Sequence, residues 1–156
     1  MNTLKVKLYD SFNDRLKNKW KYFESKFLLT PFQSYDWLYN WYKIVGVSLN
    51  NIKPQIIIVY INNQIQLILP FSIKKIYGIK ILEWMGDIHS DYMLPIINPS
   101  FNQNKTDFII LWNKILLKLN NFDIINFQKQ KKFLMENFKN PFVEFLNVYH
   151  YDYSSQ

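Results

Sequence analysis

The chain has 156 residues, 49% of them hydrophobic and 20% charged, with a formal net charge of +7 and no cysteine. That length suits a single domain with a real core, and the apolar content excludes a disordered chain. The missing cysteine excludes disulfides, thiolate nucleophiles and cysteine-held metals.

Lys5 and Lys7 interrupt the apolar residues at the N-terminus, so no signal peptide is expected. No apolar run reaches the roughly 18 residues that a membrane span needs. The expected location is the cytoplasm. A basic balance fits nucleic acid, a membrane surface or an anionic ligand. The richness in Lys, Asn, Ile, Phe and Tyr together also fits AT-rich coding. The densest basic cluster, Lys129, Lys131 and Lys132, lacks arginine, and Arg15 is the only arginine in the chain. Arginine forks suit phosphate and base recognition best, so nucleic acid is not an expected partner.

In chain order, Leu4, Val6 and Leu8 alternate with lysines and predict a short strand. Ser11 and Asp14 resemble a capping box. Phe12, Leu16, Trp20, Phe23 and Phe27 then fall at helical spacing. Pro31 breaks that helix, and Ser34 caps the next one, with Asp36 at its positive end. Trp37, Trp41, Ile44 and Val45 share a face that is expected to be core, and Gly46 is the expected stop.

Gln55 to Ile61 reads as a strand buried on both faces. Asn62-Asn63 is a turn signal, and Ile65, Leu67 and Leu69 alternate after it, which predicts a hairpin. Pro70 is expected at an edge or a bulge. Lys74 to Gly78 turns the chain into Ile76–Asn98. This stretch holds two apolar arms around the polar connection Gly86, Asp87, His89, Ser90, Asp91, Tyr92. Asn104 or Thr106 caps a helix with Phe108, Leu111, Trp112, Ile115, Leu116 and Leu119 on one face. A strand over Phe122 to Phe127 would complete a crossover unit. Gln128 to Phe138 reads as a further short helix, and Phe142 to Tyr153 as a last strand.

Little catalytic chemistry is advertised. There is no P-loop and no Gly-x-Gly-x-x-Gly, and no metal site is expected from two distant histidines. Ser90, His89 and Asp91 cannot form a triad if extended, because adjacent residues point to opposite sides. Asp87, His89 and Asp91 alternate and would share one face of an extended segment. That face fits a metal corner, an acid/base group beside a charge, or a solvated rim.

Four motifs stand in a recognisable order. Phe32-Gln33-Ser34 with Trp37-Leu38 and Trp41 resembles an "F-x-S-x-x-W-x-x-x-W" helix. Leu69-Pro70-Phe71 resembles an "L-P-L" strand. Gly86 with Asp91-Tyr92 resembles "G-x-x-x-x-D-Y", and Phe122-Asp123-Ile124-Ile125 resembles a "D-x-L-x-L" strand. Together, over Leu4 to Phe127, they resemble the CelD/BcsL-like acyltransferases, which are related to the FemAB and GNAT groups.

The resemblance implies an α/β (α+β) fold: a GNAT-like, mixed, mostly antiparallel sheet flanked by helices, with residues 1–156 as one domain. It implies an N- or O-acyltransferase of polysaccharide or cell-envelope metabolism. The co-substrate would be acetyl-CoA or another acyl-CoA, and the acceptor a small molecule or glycan precursor. Only the first of two tandem halves is matched, and no "Q/R-x-x-G-x-G/A" loop is present. Acyl-CoA is therefore not expected to bind this half alone, and a second GNAT-like half or partner chain is implied. The alternatives are a non-catalytic interaction half that needs a partner chain carrying the acyl-CoA site and, behind it, a basic nucleic-acid-binding module. Asp91, Tyr92 and His89 are the candidate catalytic residues, and Asp87, Gly86 and Trp84 the candidate substrate-binding ones. Asp91 and Tyr92 match the motif, which does not itself carry their roles.

Overall fold

The computed structural model describes residues 3–49, 51–119, 121–135 and 138–146. The chain folds as a mixed, mostly antiparallel sheet with helices on both faces, the fold class expected from the sequence. Strand β1 (Leu4–Tyr9) is followed by α1 (Asp14–Glu24) and α2 (Tyr35–Trp41). After α2 the helix widens to π geometry over Tyr42–Gly46 and ends in the short α3 (Val47–Leu49). Strands β2 (Ile52–Ile61), β3 (Gln64–Ile76) and β4 (Ile79–Trp84) form a meander, and β5 (Ile96–Ile97) also pairs with β3. Helix α4 (Lys105–Lys118) returns the chain to β6 (Ile124–Ile125), which lies parallel to β4. A separate hairpin, β7 (Phe133–Met135) and β8 (Phe138–Lys139), precedes α5 (Pro141–Leu146).

The hairpin and the crossover share one sheet, in the order β1-β2-β3-β4-β6. The β2–β3 turn uses Asn62 and Asn63 at φ 51° and 62°, a conformation that asparagine tolerates better than most residues. Strand alternation divides the core in two. On one face, Ile56, Ile58, Ile68 and Met85 pack against Leu16, Trp20 and Phe23 of α1 and Tyr35, Leu38 and Trp41 of α2. On the other, Ile57, Leu69, Phe71, Leu82 and Trp84 pack against Phe108, Leu111, Trp112 and Ile115 of α4 and Phe142 of α5.

Several expectations are corrected. Asn13, not Ser11, caps α1, its side chain accepting from the Leu16 amide. Gly46 does not stop its helix, which runs on through the π turn. That widening shifts the following residues off the 3.6-residue period. Ile44 is accordingly 70% exposed, and Trp37 at the helix rim is 38% exposed, whereas Trp41 is core. Pro70 is neither at an edge nor at a bulge: the register shift falls at Val59/Tyr60. Pro70 stands at the seam where β3 exchanges β5, paired at Leu67 and Ile68, for β4, paired from Phe71 onward. A proline is tolerated where the neighbouring strand changes. The strand expected over Phe122 to Phe127 contracts to β6.

The described residues of the expected helix from Gln128 to Phe138 are not helical. Buried Asn140 donates to Gln130 Oε1 at 3.0 Å and to the Lys131 carbonyl at 3.1 Å, which ties this segment down as extended chain and hairpin. Phe142 begins no strand, because Asn140 accepts from the Phe142 amide and starts α5 instead. The rest of that expected strand, beyond residue 146, lies outside the described residues. No described helix is long and apolar enough to cross a membrane.

Candidate functional site

The polar connection after β4 does not run extended. Gly86 and Asp87 both adopt positive φ, 116° and 47°, and residues Asp87–His89 form a single 3-10 turn. Asp87, His89 and Asp91 therefore do not share a strand face. A Cβ on Gly86 would overlap Ser90 Oγ, so only glycine closes this turn. Gly86 gives the turn its backbone shape. Trp84 is 1% exposed and packed among Phe71, Phe127 and Phe142, at ring separations of 4.4, 5.1 and 5.3 Å.

The turn is held from three sides. From α2, the Trp37 indole N–H donates to Ser90 Oγ at 3.1 Å, and the Trp41 indole N–H donates to His89 Nδ1 at 3.2 Å. An indole N–H only donates, so His89 Nδ1 must accept, and the neutral ring carries its proton on Nε2. From the segment after β6, Lys129 Nζ donates to the carbonyls of Asp87 at 3.0 Å and Ser90 at 2.6 Å. From β3, Lys74 Nζ pairs with Asp87 Oδ2 at 2.9 Å. The two tryptophans thus form a clamp as well as helix packing.

The remaining expected residues lie on the rim. Asp91 is exposed and makes no hydrogen bond or ion pair among the described residues. His89 is exposed, and Tyr92 is half-buried with Lys131 Nζ 3.5 Å above its ring and the Phe32 ring edge-on at 6.5 Å.

Sequence reading missed the group with the most perturbed chemistry. Glu83 of β4 is half-buried, and burial pushes its carboxyl up from an ordinary 4.5 to about 7. The neighbouring Lys74 ammonium pulls it down and the Asp87 carboxylate pushes it up, both more weakly than burial. Cross-strand register explains the placement. Glu83 lies opposite Ser72 on β3, and Lys74 follows two residues on along the same face. Ser72 is fully buried and its hydroxyl has no partner. Lys74 is itself raised, by its hydrogen bond and attraction to Asp87 acting against the larger burial penalty. A carboxyl that titrates near neutrality, beside an ion pair and a free hydroxyl, can accept and return a proton at physiological pH. Glu83, Ser72, Lys74 and Asp87 therefore form the candidate site, on the α1/α2 face at the end where Met85 leaves β4. The one sequence signal was an acid inside an apolar strand, Ile81-Leu82-Glu83-Trp84.

Among the described residues no group of three or more His, Asp or Glu could hold a metal ion. A cavity of about 650 Å³ lies elsewhere, between α1 and the β2–β3 turn, lined by Lys19, Tyr22, Phe27, Tyr60 and Gln64 among others. In comparisons with known proteins, no family model, no curated protein and no solved structure matches this chain.

Proposed function

We propose that this chain is the N-terminal, GNAT-like half of an acyl-CoA-dependent N- or O-acyltransferase, with Glu83 as the general base. The observation that carries the reading is the placement of Glu83, half-buried on β4 near the Lys74–Asp87 ion pair, where burial pushes its carboxyl up to about 7. An amine or hydroxyl acceptor must lose a proton as it attacks a thioester carbonyl. A base poised near the working pH does this best, because it is both substantially ionised and basic enough. Burial sets its raised proton affinity, with Lys74 opposing and Asp87 adding to the shift. His89, Asp91 and Tyr92 stand at the rim, where an acceptor would enter. The mixed sheet with helices on both faces supports the same reading.

Neither longer helix offers the diphosphate of an acyl-CoA an open N-terminus, and no glycine-rich loop cradles it. Such a group favours a helix N-terminus with free amides, and both longer helices have theirs engaged. Asn104 Oδ1 accepts from the Asp107 amide in α4, whose first turn also carries the Asp107 carboxylate. Asn13 and Asp14 do the same at α1. None of the three glycines opens either of the longer helices, α1 and α4. The acyl-CoA site is therefore assigned to a second half or partner chain. Strand β6 ends the sheet among the described residues, with Ile124 49% and Ile125 41% exposed. Such an open apolar edge suits the addition of a partner strand.

Calorimetry with acetyl-CoA tests the assignment. The isolated chain is expected to show no binding in the micromolar range, and thiol release from acetyl-CoA should appear only when the second half is supplied. In that reconstituted enzyme Glu83→Gln should lower turnover about a hundredfold or more. Micromolar binding by this chain alone would overturn the division of labour, and unchanged turnover in Glu83→Gln would overturn the base.

A further inference from the structure

Behind the Glu83 cluster, on the opposite face of the same strands, the register brings together a second polar site. Lys53, Ile73 and Leu82 form one cross-strand row, and Lys75 and Lys80 face each other in the next. Period-two alternation puts all five side chains on the α4/α5 face, at a place where no α4 residue lines the space beside the lysines. The result is a cavity of about 310 Å³, floored by Ile73 and walled by Lys53, Lys75, Lys80, Asn51, Gln55 and Asn121. No carboxylate lines it. Lys53 and Lys75 have no ion pair or hydrogen bond from their ammonium groups among the described residues, and Lys80 Nζ meets only the neutral Asn121 Oδ1, at 2.5 Å. Asp123 lies outside the cavity wall, its Oδ2 accepting from the Lys80 amide at 2.7 Å.

We infer that this cavity binds a small polyanion of the phosphate-ester or diphosphate class. Three lysines line one cavity with no carboxylate in its wall, and a compact trivalent anion supplies the missing counter-charge. Ammonium groups bind phosphate oxygens as point charges and need no fork geometry. The cavity volume lies at the small end of ligand sites, enough for a diphosphate or a small phosphorylated molecule. The apolar Ile73 floor excludes water beneath the charges, which strengthens their attraction. The site is separate from the acyl-transfer reading, since it faces away from Glu83 and shares no residue with that cluster.

The test is calorimetric titration of the full chain with sodium pyrophosphate at low ionic strength, with backbone amide shifts of Ile73 and Lys75 locating the ligand. Binding is expected with Kd on the order of 0.1 to 1 mM. Lys53→Gln and Lys75→Gln should each weaken it about tenfold, as expected for losing one charge-assisted contact. Both side chains are exposed, so the urea midpoint should not move, and Lys17→Gln on α1 should change nothing. A parallel arm offers vesicles containing anionic lipid. Binding to pyrophosphate with no vesicle association confirms a soluble phosphate ligand. Binding confined to vesicles, no binding to pyrophosphate at 10 mM (roughly tenfold above the weakest expected Kd), or equal losses in Lys17→Gln would each overturn the inference.

Discussion

The two faces of the sheet are built from the same strands and differ in what they bury. Under α4 and α5 the sheet meets a closed aromatic layer: Phe71 stacks on Phe127 at 5.2 Å, and Phe142 stands edge-on to Trp84, Phe108 and Trp112. Under α1 and α2 the layer begins the same way, with Trp20 and Phe23, but ends in Ser72, Lys74, Glu83 and Asp87. Burying a carboxyl and an ion pair costs more than burying rings. A fold that needed only stability would place carbon there. The contrast separates a face that stabilises the sheet from a face where one group holds a proton more tightly than it would in water.

The largest expected effect belongs to the aromatic face. Phe108→Ala should cost about 3 to 5 kcal/mol in urea unfolding, because Phe108 is fully buried against Phe142 at 5.3 Å. It should leave the titration of Glu83 where it was. A loss below about 1 kcal/mol would dissolve the contrast between the faces.

Next comes the pH dependence of stability. The unfolded chain releases the Glu83 proton near the ordinary 4.5, while the folded chain keeps it to about 7. Between these values the folded state binds more protons, so stability is complete below pH 4.5, falls as pH rises, and levels above pH 7. The total fall is at most about 3 kcal/mol, less to the extent that water reaches the carboxyl. Urea midpoints at pH 5 and pH 8 measure it. Glu83→Gln should flatten this slope, while Phe108→Ala should lower the whole curve without changing its shape.

The smallest effect isolates the clamp. Trp41→Phe keeps an aromatic ring in the core and removes the N–H donated to His89 Nδ1. It should cost about 0.5 to 1.5 kcal/mol beyond any packing change. Because the bonded His89 side chain is exposed, it should also change the His89 ring signals in NMR spectra. Unaltered His89 signals would mean that the bond is not formed in solution.

Parts of this were legible in the sequence for local reasons. Asn62-Asn63 gave away the hairpin because few other pairs tolerate two positive φ values. The stripe from Phe108 to Leu119 gave away α4 because a long amphipathic helix repeats its signal several times. Short elements do not repeat, so β6, β7 and β8 were misjudged or missed, and the segment before α5 takes its form from the buried contacts of Asn140. The candidate site was legible only at its rim. Asp87, His89 and Asp91 stood out by composition, whereas Glu83 is one acid in an apolar strand. Its proton affinity depends first on burial, then on Lys74 and on a turn that brings Asp87 back beside it. Trp37 and Trp41 were readable as a helix face, but which atoms their indoles would bond was set by the packing of α2 on the turn.

The central claim is that the Glu83 carboxyl titrates near neutrality in the folded chain, with Lys74 opposing the shift. A carbon-13 NMR titration of the Glu83 side-chain carboxyl measures this directly, in the native chain and in Lys74→Met. The account predicts a midpoint of about 7 in the native chain, and a higher one once the Lys74 ammonium no longer favours the charged form. A midpoint near the ordinary 4.5, or a Lys74→Met variant that titrates at lower pH than the native chain, would contradict it.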